Sequence, residues 1–274
     1  MKLFICVLAA LCVHSTFGQS FYKSSNKEEF KSLMENGLFF IKTDDSARNE
    51  AFITALNENW DITEVTIIDP SDESVKLSGD EIFLIEGNFY DDGGNVLGLL
   101  PFNLLESGEI SKYSMIGFIA TNGYDQEEDK TTMFQYLDLT ISGLNNVVKV
   151  IKDNEIKKIG IALYKGIYKA LLPESKALKG RTLLIVGETI DYVSKDALAM
   201  EDIKFKEVSV EGYARMKEAG ELDKYCLLYF AFNTFTEISI YDLKNNDLIY
   251  SRHFANGKRK LLRSDIHAMK KSWE

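Results

Sequence analysis

Hydrophobic and polar positions follow two rhythms along this chain. One is strand-like. LFFIK (38–42), TEVTII (63–68) and EIFLIE (81–86) are short apolar or alternating runs, and TLLIV (182–186), KEVSV (206–210) and YCLLYF (225–230) form a second series. The other is helical. In SARNEAFITALNENW (46–60) the spacing puts Ala47, Ala51, Phe52, Ala55 and Leu56 on one face. NKEEFKSLMEN (26–36) is another helix, with Ser25 and Glu28 at capping-box distance. The second series closes with TEISIYD (236–242) and DLIYSRH (247–253), where Ile238 and Ile240 share one face and Glu237 and Ser239 the other. Asn245 and Asn246 between those arms predict a hairpin turn, because asparagine tolerates left-handed backbone. Strand–helix–strand order with terminal hairpins implies an α/β (α+β) fold of mixed sheets with helices packed on them.

The two series are collinear. A shift of 143 positions lays Ile62–Ile67 on Phe205–Val210 and Asp80–Ile85 on Asp223–Leu228 without a gap, and pairs Gly37 with Gly180. Further on the shift drops to about 100, laying ISGLNNVVKV (141–150) on YDLKNNDLIY (241–250) so that Asn145-Asn146 matches Asn245-Asn246. Two tandem, duplicated modules are expected: one over 19–153, with about 43 extra residues near 90–133, and one over 173–274. Residues 154–172 read as a connecting helix, with Ile156, Ile159, Leu163, Ile167 and Leu171 at helical spacing until Pro173 blocks continuation. The chain ends in a basic helix, GKRKLLRSDIHAMKKSWE, with Ser264 as a start. Seven Lys or Arg fall between Arg252 and Lys271. That helix docks either on the body's own acidic surface or on a partner's acidic patch.

The amino terminus alters what counts as the folded protein. Lys2, the apolar run Leu3–Val13, and the small residues Thr16 and Gly18 have the order of a secretory signal peptide cleaved after Gly18. The run is too short for a transmembrane helix, which needs roughly 20 residues. Leu11 and Ile5 precede Cys12 and Cys6, where a lipid anchor would need a small residue. The remaining chain holds one cysteine, Cys226, inside YCLLYFAF, where it reads as a small buried hydrophobe. It is long enough to bury a core without disulfides. With no Asn-x-Ser/Thr acceptor in the sequence, the expected destination is the bacterial periplasm or exterior. The balance of 32 basic and 42 acidic side chains, less Lys2, favours solubility and disfavours nonspecific nucleic-acid binding.

The carboxy-terminal pattern carries a resemblance. An apolar strand followed by ISIYDLKNNDLIYS (238–251) resembles the amino-terminal domain of TolB and the related periplasmic domains of the curli-secretion channel family. That resemblance implies a non-catalytic α/β module that docks proteins in the cell envelope. The chain departs from it in its duplication and in lacking a β-propeller, so a Tol-system role is not implied.

Candidate chemistry is sparse. His253, His267 and Cys226 are too few for a metal site, and HExxH, CxxC, Gly-x-Ser-x-Gly and a phosphate loop are all missing. DDGGNVLG (91–98) reads as a turn and YDQEED (124–129) as a solvated acidic loop. No catalytic, cofactor or metal residue is assigned and no cofactor is expected. The favoured function is an exported, non-catalytic binding or scaffold protein whose partner is a cell-envelope protein. The alternative is a secreted hydrolase with a carboxylate site between the two modules. The extra segment holds NVLGLLPFNLLESG, more apolar than a loop requires. Leu99, Leu100, Phe102 and Leu104 either extend the core or form a partner patch. The mature protein is expected to begin at Gln19. Mass spectrometry of the native product checks this, and retention of Met1 contradicts it.

Overall fold

A computed structural model describes residues 27–72, 74–88, 95–103, 116–121, 136–157, 161–187, 189–232, 236–254 and 260–274. The signal-peptide segment, residues 91–94 of the Gly-rich turn and the acidic loop at 124–129 lie outside the described residues. Two five-stranded mixed sheets carry the fold. In the first, β1 (Leu38–Ile41) lies between parallel β2 (Val65–Ile68) and parallel β3 (Ile82–Asn88), and β4 (Asn95–Pro101) and β5 (Gly117–Thr121) continue antiparallel. In the second, β6 (Thr182–Val186) lies between parallel β7 (Phe205–Val208) and parallel β8 (Tyr225–Phe232), and β9 (Thr236–Asp242) and β10 (Asp247–Phe254) continue antiparallel. The strand orders β2-β1-β3-β4-β5 and β7-β6-β8-β9-β10 follow one scheme.

Eight helices are described around these sheets. Helix α1 (Lys27–Asn36) enters β1 through Gly37, whose φ of 85° and close approach require glycine, since a Cβ there would lie 2.6 Å from the Glu64 carbonyl oxygen. Helix α2 (Ser46–Asn59) starts at Asp45, whose carboxylate accepts from the Arg48 amide, and buries Phe52, Ala55 and Leu56. Phe52 stacks on Phe40 of β1 at 5.1 Å. Helices α3 (Leu137–Asp153) and α4 (Ile161–Ser175) join the halves. Helices α5 (Thr189–Tyr192), α6 (Lys195–Met200), α7 (Val210–Glu218) and α8 (Arg263–Lys271) belong to the second half.

The second sheet is covered on both faces. Leu184, Val186, Leu227 and Tyr241 share a core with Tyr213 and Met216 of α7 and with α3. Leu183, Ile185, Cys226, Leu228 and Phe230 share another with Leu198 of α6 and Ile266 and Met269 of α8. Alternation along each strand sorts them, as a pleated strand must. Ile238 and Ile240 fall together in the second core, on one face as their spacing predicts. The first core runs on without a break into Leu38, Phe40, Leu84, Leu97 and Leu99 of the first sheet.

Four expectations are corrected. Asn145 and Asn146 lie in the middle of α3, not in a hairpin, because Ile141, Leu144, Val148 and Ile151 bury one side of a continuous helix. The segment near 90–133 is not surplus to a shared fold, since it supplies β4 and β5, which hold the same places as β9 and β10. The uniform 143-residue shift also fails in detail. Leu38 faces Val65 and Ile82, whereas Leu183 faces Phe205 and Cys226, so Val65 takes the place of Phe205 and not of Val208. Pro173 likewise does not stop α4, which runs two residues further; there the Ser175 hydroxyl donates to the Leu172 carbonyl at 2.7 Å.

Leu99 and Leu100 are fully buried in β4. Leu99→Ala is expected to destabilise the protein by about 2–5 kcal/mol, the usual cost of emptying a packed leucine site. Phe102→Ala, at a half-buried position, is expected to cost less. Deleting residues 91–112 removes β4 and should abolish cooperative unfolding in urea. A deletion variant that melts like wild type would contradict the strand assignment.

Candidate binding surface

The space between the halves is where a two-module enzyme would hold its site. It is filled. Ser142 and Asn145 of α3 are 5% exposed. The Ser142 hydroxyl donates to the carbonyl of Asn246 in the β9–β10 turn, and the Asn246 amide donates to Asn59 Oδ1 at 3.2 Å. Asn145 accepts from the Asp61 amide at 3.1 Å and donates to the Asp61 carboxylate at 2.8 Å. Lys149 Nζ completes that carboxylate at 2.9 Å. The hydrogen bond from Asn145 and the Lys149 ammonium hold the Asp61 carboxyl below its ordinary range. Asp138 at the start of α3 is paired with Lys217 of α7 at 2.8 Å. Asp61 and Asp138 are thus each paired with a lysine of the same chain.

Cys226, Glu81 and Arg181 are also spent on structure. Cys226 is fully buried, and burial pushes its thiol up to about 12, which leaves no thiolate at neutral pH. Glu81 is 5% exposed. Burial alone would raise its pKa, but hydrogen bonds from Ser78 and from the Gly79 amide outweigh that and lower it, fixing the turn into β3. Arg181 donates to both oxygens of Asp242, at 2.8 and 3.2 Å, and to the Tyr225 carbonyl at 3.0 Å, pinning the ends of β6, β8 and β9. Among the described residues no group of three His, Cys, Asp or Glu is placed to hold a metal ion, and no helix is long and apolar enough to cross a membrane.

An open concavity of about 250 Å³ lies between α1 and the ends of β3 and β4. Its rim carries Glu28, Glu29, Glu35 and Asp80 with Lys31, and Ile82 and Pro101 lie at its floor. It is a shallow polar groove with a small apolar base.

The basic carboxy-terminal helix docks on the body. Glu201, at the end of α6 and 8% exposed, accepts from Arg263 Nε at 3.2 Å and faces His267 Nδ1 at 2.9 Å. The helix begins at Arg263 because the Asp265 carboxylate accepts from the Leu262 amide at 3.0 Å. Ile266, Met269 and Trp273 then bury its inner side.

The residues singled out as a partner patch do not come together on the surface. Leu99 and Leu100 point to opposite faces of β4 and are both core. Phe102 packs against Phe83 with ring centroids 5.7 Å apart, and Leu104 lies outside the described residues. The Glu201 clasp was missed because Glu201 lies more than sixty positions before Arg263 and His267, so no local spacing joins it to them.

Glu201→Gln removes the charge that holds Arg263 and His267, and is expected to lower Tm by a few degrees at pH 7. The His267 hydrogen bond, foremost, and Arg263 depress the Glu201 carboxyl below its ordinary 4.5. The clasp is therefore complete above that value and is lost as pH falls through the depressed one, so wild-type and variant melts should converge in acid. A difference that persists in strong acid would contradict the clasp. No protein-family model, curated protein or solved structure matches the chain.

Proposed function

We propose that this chain is an exported, non-catalytic binding or scaffold protein of the bacterial cell envelope, built from two modules of common origin and acting on an envelope protein. One observation carries the reading. The seam between the halves, where a carboxylate-based hydrolase would keep its acid and base, is packed with apolar side chains and with Asp61 and Asp138 each held by a lysine. A general acid or base must be free to exchange its proton with substrate. Asp61 is engaged by Asn145 and Lys149, and Asp138 by Lys217. The shared strand order of the two sheets supports a common origin for the modules. The β9–β10 hairpin supports the likeness to envelope-docking periplasmic domains.

The test sets binding against turnover. Mature protein carrying a photo-crosslinking residue at Glu35, on the rim of the groove, is expected to give one discrete adduct in its native envelope, competed away by excess unlabelled protein. It is expected to turn over no chromogenic ester, glycoside or peptide substrate. Turnover that is abolished by Asp61→Asn or Asp138→Asn would establish the hydrolase instead.

A further inference from the structure

Asn36 and Gly37 form an asparagine–glycine pair at the junction of α1 and β1. The glycine is fixed by the fold, because its φ is 85° and a Cβ would lie 2.6 Å from the Glu64 carbonyl oxygen. The asparagine is not. At the helix-to-strand junction of the second half, Gly180 has a φ of 78° and follows Lys179. An asparagine before a glycine is chemically labile, since no side chain shields the glycine nitrogen from the neighbouring carboxamide. Here two hydrogen bonds restrain the reacting groups. The Gly37 amide, the nucleophile, donates to the Leu33 carbonyl at 3.1 Å. The Asn36 carboxamide, the electrophile, donates from Nδ2 to the Ser32 hydroxyl at 2.9 Å, and that hydroxyl donates to the Asp80 carbonyl just before β3. Asn36 is exposed to water. Both restraints belong to the last turn of a helix, and helix ends open at little cost compared with the core.

We propose that Asn36 is a site of irreversible modification, deamidation to aspartate and isoaspartate, gated by opening of the last turn of α1. The steps balance with water as the sole co-reactant. Once the turn opens, the Gly37 nitrogen gives up its proton and attacks Asn36 Cγ. The Cγ–Nδ2 bond breaks and that nitrogen leaves as ammonia, taking up the proton, which leaves a succinimide ring. Water then opens the ring. Cleavage between Cγ and the Gly37 nitrogen gives aspartate in an ordinary chain. Cleavage between the Asn36 main-chain carbonyl carbon and that nitrogen gives isoaspartate, with Cβ and Cγ carried in the backbone. Asn36 lines the groove beside α1, so either product adds a carboxylate to a rim that already holds Glu28, Glu29, Glu35 and Asp80. Isoaspartate does more. It inserts a methylene into the backbone beside Gly37, which has no spare room against the Glu64 carbonyl, and Leu38 donates to that same carbonyl at 2.8 Å. The modification therefore changes both the charge of the groove and the join between α1 and the first sheet. It holds whatever partner the protein binds.

Tryptic mapping of the full mature chain, aged in mildly alkaline buffer, tests the site through fragment 32–42, which lies between the cleavage points at Lys31 and Lys42. Conversion is read as the mass gained when an amide becomes an acid, and isoaspartate by its separate elution. Folded wild type is expected to convert about tenfold more slowly than the same chain unfolded in guanidinium chloride, a ratio set by how seldom the last turn is open. Ser32→Ala frees the carboxamide, so the folded variant should convert faster than folded wild type while the two unfolded chains convert alike. Asn36→Gln must close a larger, slower-forming ring and should stay unconverted. If Ser32→Ala fails to fold, denaturant below the unfolding midpoint gives the second reading, and wild-type conversion should rise before global unfolding begins. The proposal is overturned if folded wild type converts as fast as the unfolded chain, or if the unfolded chain leaves the fragment unconverted. It is equally overturned if folded Ser32→Ala converts no faster than wild type, or if conversion in denaturant follows global unfolding alone.

Discussion

The structure depends on burying α3. Ten of its residues are buried, among them Leu137, Leu139, Ile141, Leu144, Val147, Val148 and Ile151. A helix that is apolar over most of its circumference has no stable place on the surface of one sheet. Each half alone would leave one side of it in water. Placed between the halves, it lets Leu84 and Leu97 of the first sheet and Leu184 and Leu227 of the second belong to one core. Burial at this scale brings Ser142 and Asn145 inside with it, and a polar group taken from water must find a partner or carry its full desolvation cost. The Asn246 carbonyl and Asp61 supply those partners from opposite halves. The apolar contacts provide the driving force, and the polar pairs fix which residues meet.

The legible parts of this fold were those where local spacing and tertiary demand coincide. Alternation in TEISIYD, the continuous apolar runs at 38–41 and 182–186, and the four-residue spacing of Leu163, Ile167 and Leu171 all survive in the structure. The run at 141–150 misled because two signals conflict there. Its Asn-Asn pair matches the turn at 245–246, while its apolar positions repeat at the helical period over 137–153. Over that length the longer periodicity wins, since seven buried apolar side chains outweigh the turn preference of two asparagines. Strands β4 and β5 were hidden for a different reason. Gly98, Pro101 and Gly117 fall within or at the ends of them, and each residue weakens a strand signal. Leu97, Leu99 and Leu100 looked surplus only because the strand that needs them was not recognised. The groove beside α1 and the Glu201 clasp join residues distant in sequence, so no window of the chain contains them.

Each sheet edge is managed by a different device, and this limits how the protein can meet another. Strand β7 exposes Lys206 and Glu207, charges that discourage edge-to-edge pairing. Strand β2 offers only four residues before Asp69, which accepts from Ser71 and closes a turn. Strand β5 lies against α3, and β10 against α4. Of these, the charged and the short edges are permanently poor templates, because nothing reversible stands in their way. The two covered edges differ from them, since a helix can in principle lift. They also differ from each other. Helix α3 has ten buried residues and polar partners in both halves, so lifting it from β5 dismantles the core. Helix α4 lies against β10 with Tyr164 on His253 and Tyr168 on Tyr250, while Leu163, Ile167 and Leu171 on its inner side are buried in the shared core. Each of these helices therefore holds a strand and the shared core at once, so uncovering either edge costs core contacts as well.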